Sequence, residues 1–285
     1  MTAIIRSTRL TVAAGLLAAS GSPLAAQNQP DYAGAMKHEH GKETPTGSPG
    51  ALIAPRVDVV GETVTYATIN GTAIRGYLAK PAAGAATGKT VIVVHEWWGL
   101  NDNMQAMARR YAGEGYTVLA VDLFGSVATT PDAAMKLYQA GMADIAGGEK
   151  NLGEAIAYLK KAGATSIGAV GYCYGGHWAL RTGLVGGEDL DAVVMYYGAP
   201  ITDTKEISRL KAPVLGIFGG KDTGIPITAV RQMETAIKAA GVPVTITVYE
   251  NANHAFANPS GQAYDKTAAE DAFAKTVSFF KANLK

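Results

Sequence analysis

Along the chain, short apolar runs alternate with segments whose apolar residues recur every three or four positions. Thr90-Val-Ile-Val-Val94, Thr117-Val-Leu-Ala-Val121, Ile167 to Val170, Ala192 to Tyr197, Val214 to Phe218 and Val244 to Tyr249 read as strands. Apart from Thr90, Thr117, Thr245 and Thr247 these runs are apolar, as expected of strands covered on both faces of a parallel sheet. Between them, helical spacing places Met104, Met107, Ala108 and Tyr111 on one face of a helix that Asn101 or Asp102 can cap. Further helices are expected over 132–143, 146–161, 228–240 and 264–283. Two runs differ in pattern. Residues 63–69 and 74–79 alternate at period two around Asn70-Gly71, a strong hairpin signal. The order predicts one α/β domain over 56–285: a mainly parallel sheet flanked by helices, with an antiparallel hairpin at its N-terminal edge.

The beginning of the chain departs from this pattern. Arg6 and Arg9 precede an apolar run from Leu10 to Ala19, then Gly21-Ser22-Pro23 and Ala25-Ala26. This is the order of a secretory signal peptide over residues 1–26, cleaved near Ala26. The run falls short of the roughly 20 apolar residues of a membrane span. The expected destination is periplasmic or extracellular, with no membrane attachment once the signal is removed. Residues 27–55 are rich in Pro, Gly, Ser, Thr and charge, and read as a flexible segment. Within it, His38-Glu39-His40 is a weak metal signal and is assigned no metal.

Formal net charge is +1, too balanced to suggest nucleic acid or an anionic membrane as partner. The expected partner is a small molecule, no cofactor is implied, and a monomer is the working form. Cys173 is the only cysteine, so no internal disulfide can form and the thiol is either inert or kept for chemistry.

Cys173 sits where a strand breaks and a helix begins, in Gly171-Tyr-Cys173-Tyr-Gly175-Gly176. This is Gly-x-Cys-x-Gly, the form of the nucleophile turn of α/β hydrolases with sulfur replacing oxygen. Asp222 and His254 follow at later strand ends, in the order nucleophile, acid, histidine. A thiol ionises beside a histidine, and a carboxylate on the far ring nitrogen fixes the tautomer. An oxyanion would need two donors, for which the backbone N–H groups of Tyr174 and Trp97 are placed. Trp98, Phe124, Phe256 and Asn258, near the same strand ends, are assigned to the substrate pocket. His95 is expected to be structural and His177 a packing or rim residue. Two other readings use the same residues: a binder that keeps the pocket without chemistry, and a redox-sensing thiol.

With these residues in view, the chain resembles the dienelactone hydrolase family over roughly residues 60–284. The resemblance rests on Val-Val-His95-Glu96-Trp-Trp-Gly-Leu, Asp122-Leu-Phe-Gly, Gly171-Tyr-Cys173-Tyr-Gly-Gly, Asp222-Thr-Gly-Ile-Pro226 and His254-Ala-Phe. It implies an α/β-hydrolase fold, Cys173 as nucleophile, His254 as base and Asp222 as its orienter. It also implies that Glu96 lies beside the thiol and holds it neutral until substrate arrives, since a nearby carboxylate penalises a second negative charge. The chain departs from the family at the arginines that clamp a substrate carboxylate. Asn258 stands at one such position, and residues 111–180 contain no arginine. The implied activity is therefore hydrolysis of small esters or lactones, with neutral ones as well suited as dienelactone.

Overall fold

Eight strands form one sheet in the order β1-β2-β4-β3-β5-β6-β7-β8 in a computed structural model that describes residues 31–41, 53–84 and 87–285. The signal-peptide expectation falls on residues 1–26, outside the described residues. β1 (Val59–Ile69) and β2 (Thr72–Pro81) make the expected hairpin, with Asn70 and Gly71 both at positive φ, 51° and 80°. Those angles suit the tight turn whose twist matches the two strands. β2 then runs antiparallel to β4 (Thr117–Val121), and every later pairing is parallel. The remaining strands are β3 (Lys89–Val94), β5 (Ser166–Tyr172), β6 (Ala192–Tyr196), β7 (Val214–Gly219) and β8 (Val244–Tyr249).

The all-apolar runs occupy the centre. β5, β6 and β7 are buried at every position, because helices cover both faces. β8, at the edge, is mostly half-buried. The helices after the hairpin are α2 (Asp102–Gly113), α3 (Pro131–Ala143), α4 (Ile145–Lys161), α5 (Tyr174–Gly186), α6 (Thr204–Ile207), α7 (Ile227–Ala239) and α8 (Lys266–Asn283). Local chemistry sets several starts. Asn101, Thr130 and Asp265 each accept a backbone N–H three residues on, which satisfies a donor the first turn leaves open. The parallel strands run the same way, so the loops after β3, β5, β7 and β8 gather at one end of the sheet.

One element departs from expectation. Part of the segment read as flexible is helical: α1, Tyr32–His40, capped by the Asp31 side chain accepting from Gly34 N at 2.8 Å. It packs against α3, with Met36 buried. A nine-residue helix is marginal in water on its own, so this one depends on what it covers. His38 is exposed on it.

Candidate active site

Four strand ends meet around Cys173. The residue has φ 55° and ψ −116°, a conformation that side-chain-bearing residues rarely adopt. The glycines around it make the turn possible. A Cβ on Gly171 would lie 1.9 Å from the Gly175 carbonyl oxygen, and one on Gly175 would lie 2.3 Å from the Val94 oxygen. The turn is therefore pressed backbone to backbone against itself and against the end of β3. Cys173 N donates to Tyr196 O at 3.0 Å, which ties the turn to β6 as well. Among the described residues, the non-glycine residues at positive φ are Asn70, Cys173, Tyr197 and Ala255. The last three stand at the site or beside it, where strain of this kind tends to collect.

His254 follows β8, and Asp222 follows β7. His254 Nδ1 donates to Asp222 Oδ2 at 2.6 Å, with both side chains buried. The other oxygen, Oδ1, accepts the backbone N–H groups of Gly224 and Ile225, each at 2.8 Å. Asp222 is thus a turn cap and a histidine partner at once. With Nδ1 committed to Asp222, Nε2 is the nitrogen left for chemistry at Cys173, whose charge acts on the ring. Burial alone would pull the His254 pKa down. The charges of Asp222 and Cys173, with the hydrogen bond to Asp222, outweigh it and carry the imidazole well above its ordinary value.

Glu96, in the loop after β3, is buried and accepts from Asn258 Nδ2 at 2.8 Å. Asn258 Oδ1 in turn accepts from Asn103 and from Ser260 N. The Tyr197 hydroxyl has its pKa pushed well up, by burial first and then by the charges of Glu96 and Cys173. Tyr174 opens α5, so its N–H is one of those that a helix start leaves without an intrahelical acceptor. Trp97 is buried in the loop after β3, the loop the turn presses against.

Two further histidines near the site, His95 and His177, are held neutral. His95 Nδ1 donates to Glu96 O at 2.6 Å, and its Nε2 accepts from Leu123 N at 3.1 Å, bracing the ends of β3 and β4. Burial keeps its pKa low. His177 donates to Ala199 O and accepts from Arg181 Nε; burial lowers its pKa to about 4, and Arg181 reinforces that.

The cavity over Cys173 is small and apolar. It is lined in part by Tyr138, Met142, Tyr197, Ile225 and His254, with Tyr32 and Met36 of α1 closing it, and its volume is about 10 Å³. That is room for about one water. The four residues assigned from sequence to the pocket do not line it. Phe256 is fully buried against Tyr197 and Tyr249, and Trp98 packs on Trp97. Phe124 packs on His95 and Tyr174, and Asn258 holds Glu96. Each stands near a strand end, but its side chain is taken up by these contacts instead of the cavity. The lining from α1 and α3 is not legible in the sequence, because neither helix carries a motif. The Asp31 cap was a local signal, as was Tyr32 and Met36 standing four apart on one face. A larger cleft of about 680 Å³, between Lys80, Thr117 and Lys281, lies at the amino end of β4 and holds none of these reactive groups.

Comparison with known proteins bears on the whole arrangement. The sequence profile of the dienelactone hydrolase family matches residues 74–284. Protein usf of Aquifex pyrophilus is 34% identical over 228 residues, covering 75% of this chain and 96% of that protein. A protein of Saccharolobus solfataricus, provisionally named carboxymethylenebutenolidase, is 30% identical over 251 residues, covering 74% of this chain and 95% of its own. Among solved structures, a dienelactone hydrolase-like promiscuous phosphotriesterase from metagenomic libraries shares the fold. Its TM-score is 0.74 at 22% identity, over 80% of this chain and 99% of that one.

Proposed function

The chain belongs to the dienelactone hydrolase family, and from that premise we propose that it hydrolyses small carboxylic esters or lactones through Cys173, His254 and Asp222. The observation that carries the reading is the buried relay: Asp222 on His254 Nδ1 at 2.6 Å, with the thiol on the other side of the ring. When substrate binds, the thiol proton passes to His254, giving the thiolate–imidazolium pair that the raised histidine pKa favours; Asp222 stabilises the imidazolium while sulfur attacks the substrate carbonyl. The N–H groups of Tyr174 and Trp97 receive the oxyanion. Collapse expels the alcohol, or the alkoxide arm of a lactone, protonated by His254, and leaves a thioester on Cys173. Water, deprotonated by the same ring, then releases the acid and restores the thiol. Glu96, held by Asn258, raises the cost of a resting thiolate and so delays ionisation until substrate binds.

The lining of the cavity favours neutral substrates. It contains no lysine or arginine among the described residues. Arg181, the nearest candidate in sequence, is buried against Glu149 at 2.8 Å and Glu206 at 3.0 Å. A substrate carboxylate would find no fork to bind it. Export of the mature chain remains part of the proposal, on the strength of the order of residues 1–26.

The test is turnover of a panel of activated short-chain esters and lactones by the mature protein beside Cys173→Ala. The expected result is hydrolysis of neutral members by the first and none by the second. No turnover across the panel, or equal turnover by both proteins, overturns the reading.

A further inference from the structure

The cavity over the thiol is full, and part of its filling comes from outside the hydrolase domain proper. Met36 of α1 places its thioether sulfur 3.3 Å from Cys173 Sγ and is only 6% exposed. Tyr32, four residues earlier and therefore on the same helix face, reaches the same cavity. Burial there pushes its hydroxyl pKa up to about 12. Tyr138 of α3 is pushed up too, first by burial and then by the charges of Cys173, Tyr32 and Asp31. On the other side, Ala35 comes so close to the Asp222 turn that a Cβ on Gly224 would lie 3.2 Å from it. What remains is about 10 Å³, whereas pockets that bind small organic ligands usually hold at least about 300 Å³. No ester can reach Cys173 while α1 is seated.

We infer that α1 is an intramolecular occupant of the substrate site, with Met36 standing in the subsite that receives the acyl chain, and that catalysis requires α1 to leave. The inference rests on Cys173 lying at the substrate site, as proposed above. Met36 is an unbranched apolar chain ending against the reactive sulfur, among Tyr138, Met142, Tyr197 and Ile225. The subsite it occupies therefore suits an unbranched, uncharged acyl group of similar length. Release is feasible because α1 is short and sits on the rest of the fold by a single face. Substrate and helix then compete for one space. Apparent affinity is lowered by the fraction of molecules in which the helix is seated, while the chemical step is untouched.

Alkylation of Cys173 by iodoacetamide tests this without needing turnover. The proteins to compare are the wild type, Met36→Leu, Met36→Asp and Tyr32→Asp, with folding checked by near-ultraviolet circular dichroism. A buried carboxylate beside the thiol is costly, so each aspartate should unseat the helix. The expected result is labelling at least about tenfold faster in both aspartate variants than in the wild type, with Met36→Leu close to the wild type. On a neutral short-chain ester the aspartate variants should show lower KM at unchanged kcat. Equal labelling rates in all four proteins overturn the inference. Turnover with equal labelling sinks the helix occupant alone; unequal labelling with no turnover of any ester sinks the hydrolase reading alone.

Discussion

Beneath the Cys173 thiol, strand, turn and helix meet backbone to backbone; above it, a nine-residue helix rests on Tyr32, Ala35 and Met36. The floor has no room for even one added carbon at Gly171 or Gly175. Its strain is held by β3, β5 and β6 together, as strained catalytic turns must be over-determined by their surroundings. The roof has the opposite character: one apolar face, an Asp31 cap, and a seat that a ligand would need. The difference teaches where each property of the site resides. The floor fixes the direction of the Cys173 side chain, and in the proposed roles the roof governs access to it.

The largest effect should come from the floor. Gly175→Ala forces a Cβ to within 2.3 Å of one backbone oxygen and 2.5 Å of another. Destabilisation of more than about 4 kcal/mol, or failure to fold, is expected in urea unfolding. A well-folded variant with normal activity would mean the turn is not rigid.

Next is the relay. Asp222→Asn or His254→Ala should lower kcat for an activated ester by about 10²- to 10⁴-fold, with the fold retained. The readout is steady-state kinetics beside circular dichroism.

A third effect separates the histidines around the thiol. His177 is held at a pKa of about 4 by burial, so the folded state binds fewer protons than the unfolded state between that value and 6.5. Stability contributed this way is present above 6.5 and is lost as pH falls towards 4, by up to about 3 kcal/mol. The midpoint of urea unfolding should fall across that window by less in His177→Gln than in the wild type. His254 has the opposite sign, its pKa being raised. Its contribution is present below its ordinary pKa and is lost as pH rises through the folded value.

The smallest effect belongs to the roof. Because α1 can open by itself, Met36→Ala should change global stability by less than about 1 kcal/mol, well under the usual cost of emptying a core. A loss of several kcal/mol would make α1 part of the cooperative fold and erase the contrast.

The same contrast explains what the sequence reveals. Gly171-Tyr-Cys173-Tyr-Gly175 is legible because local sterics dictate it, and Asn70-Gly71 for the same reason. The all-apolar runs announce the central strands, since burial on both faces leaves no polar position. Asp222 and His254 could be named from their order, yet their 2.6 Å contact comes only from β7 and β8 pairing side by side. The roof could not be read in this way. Tyr32 to His40 offers one apolar face too short for a periodicity, and its helix is fixed by tertiary contact with α3 and the cavity. Asn258 shows a further limit. Its position near His254 suggested the pocket, but its amide is spent on Glu96.

In the proposed mechanism Cys173 carries the acyl group. Mixing the protein with an activated short-chain ester, quenching in acid within the first turnover and mapping peptides by mass spectrometry tests it directly. The expected result is an acyl adduct on the peptide containing Cys173, formed and lost at rates consistent with turnover and absent in Cys173→Ala. Ester hydrolysis with no adduct on that peptide, persisting in Cys173→Ala, would contradict it.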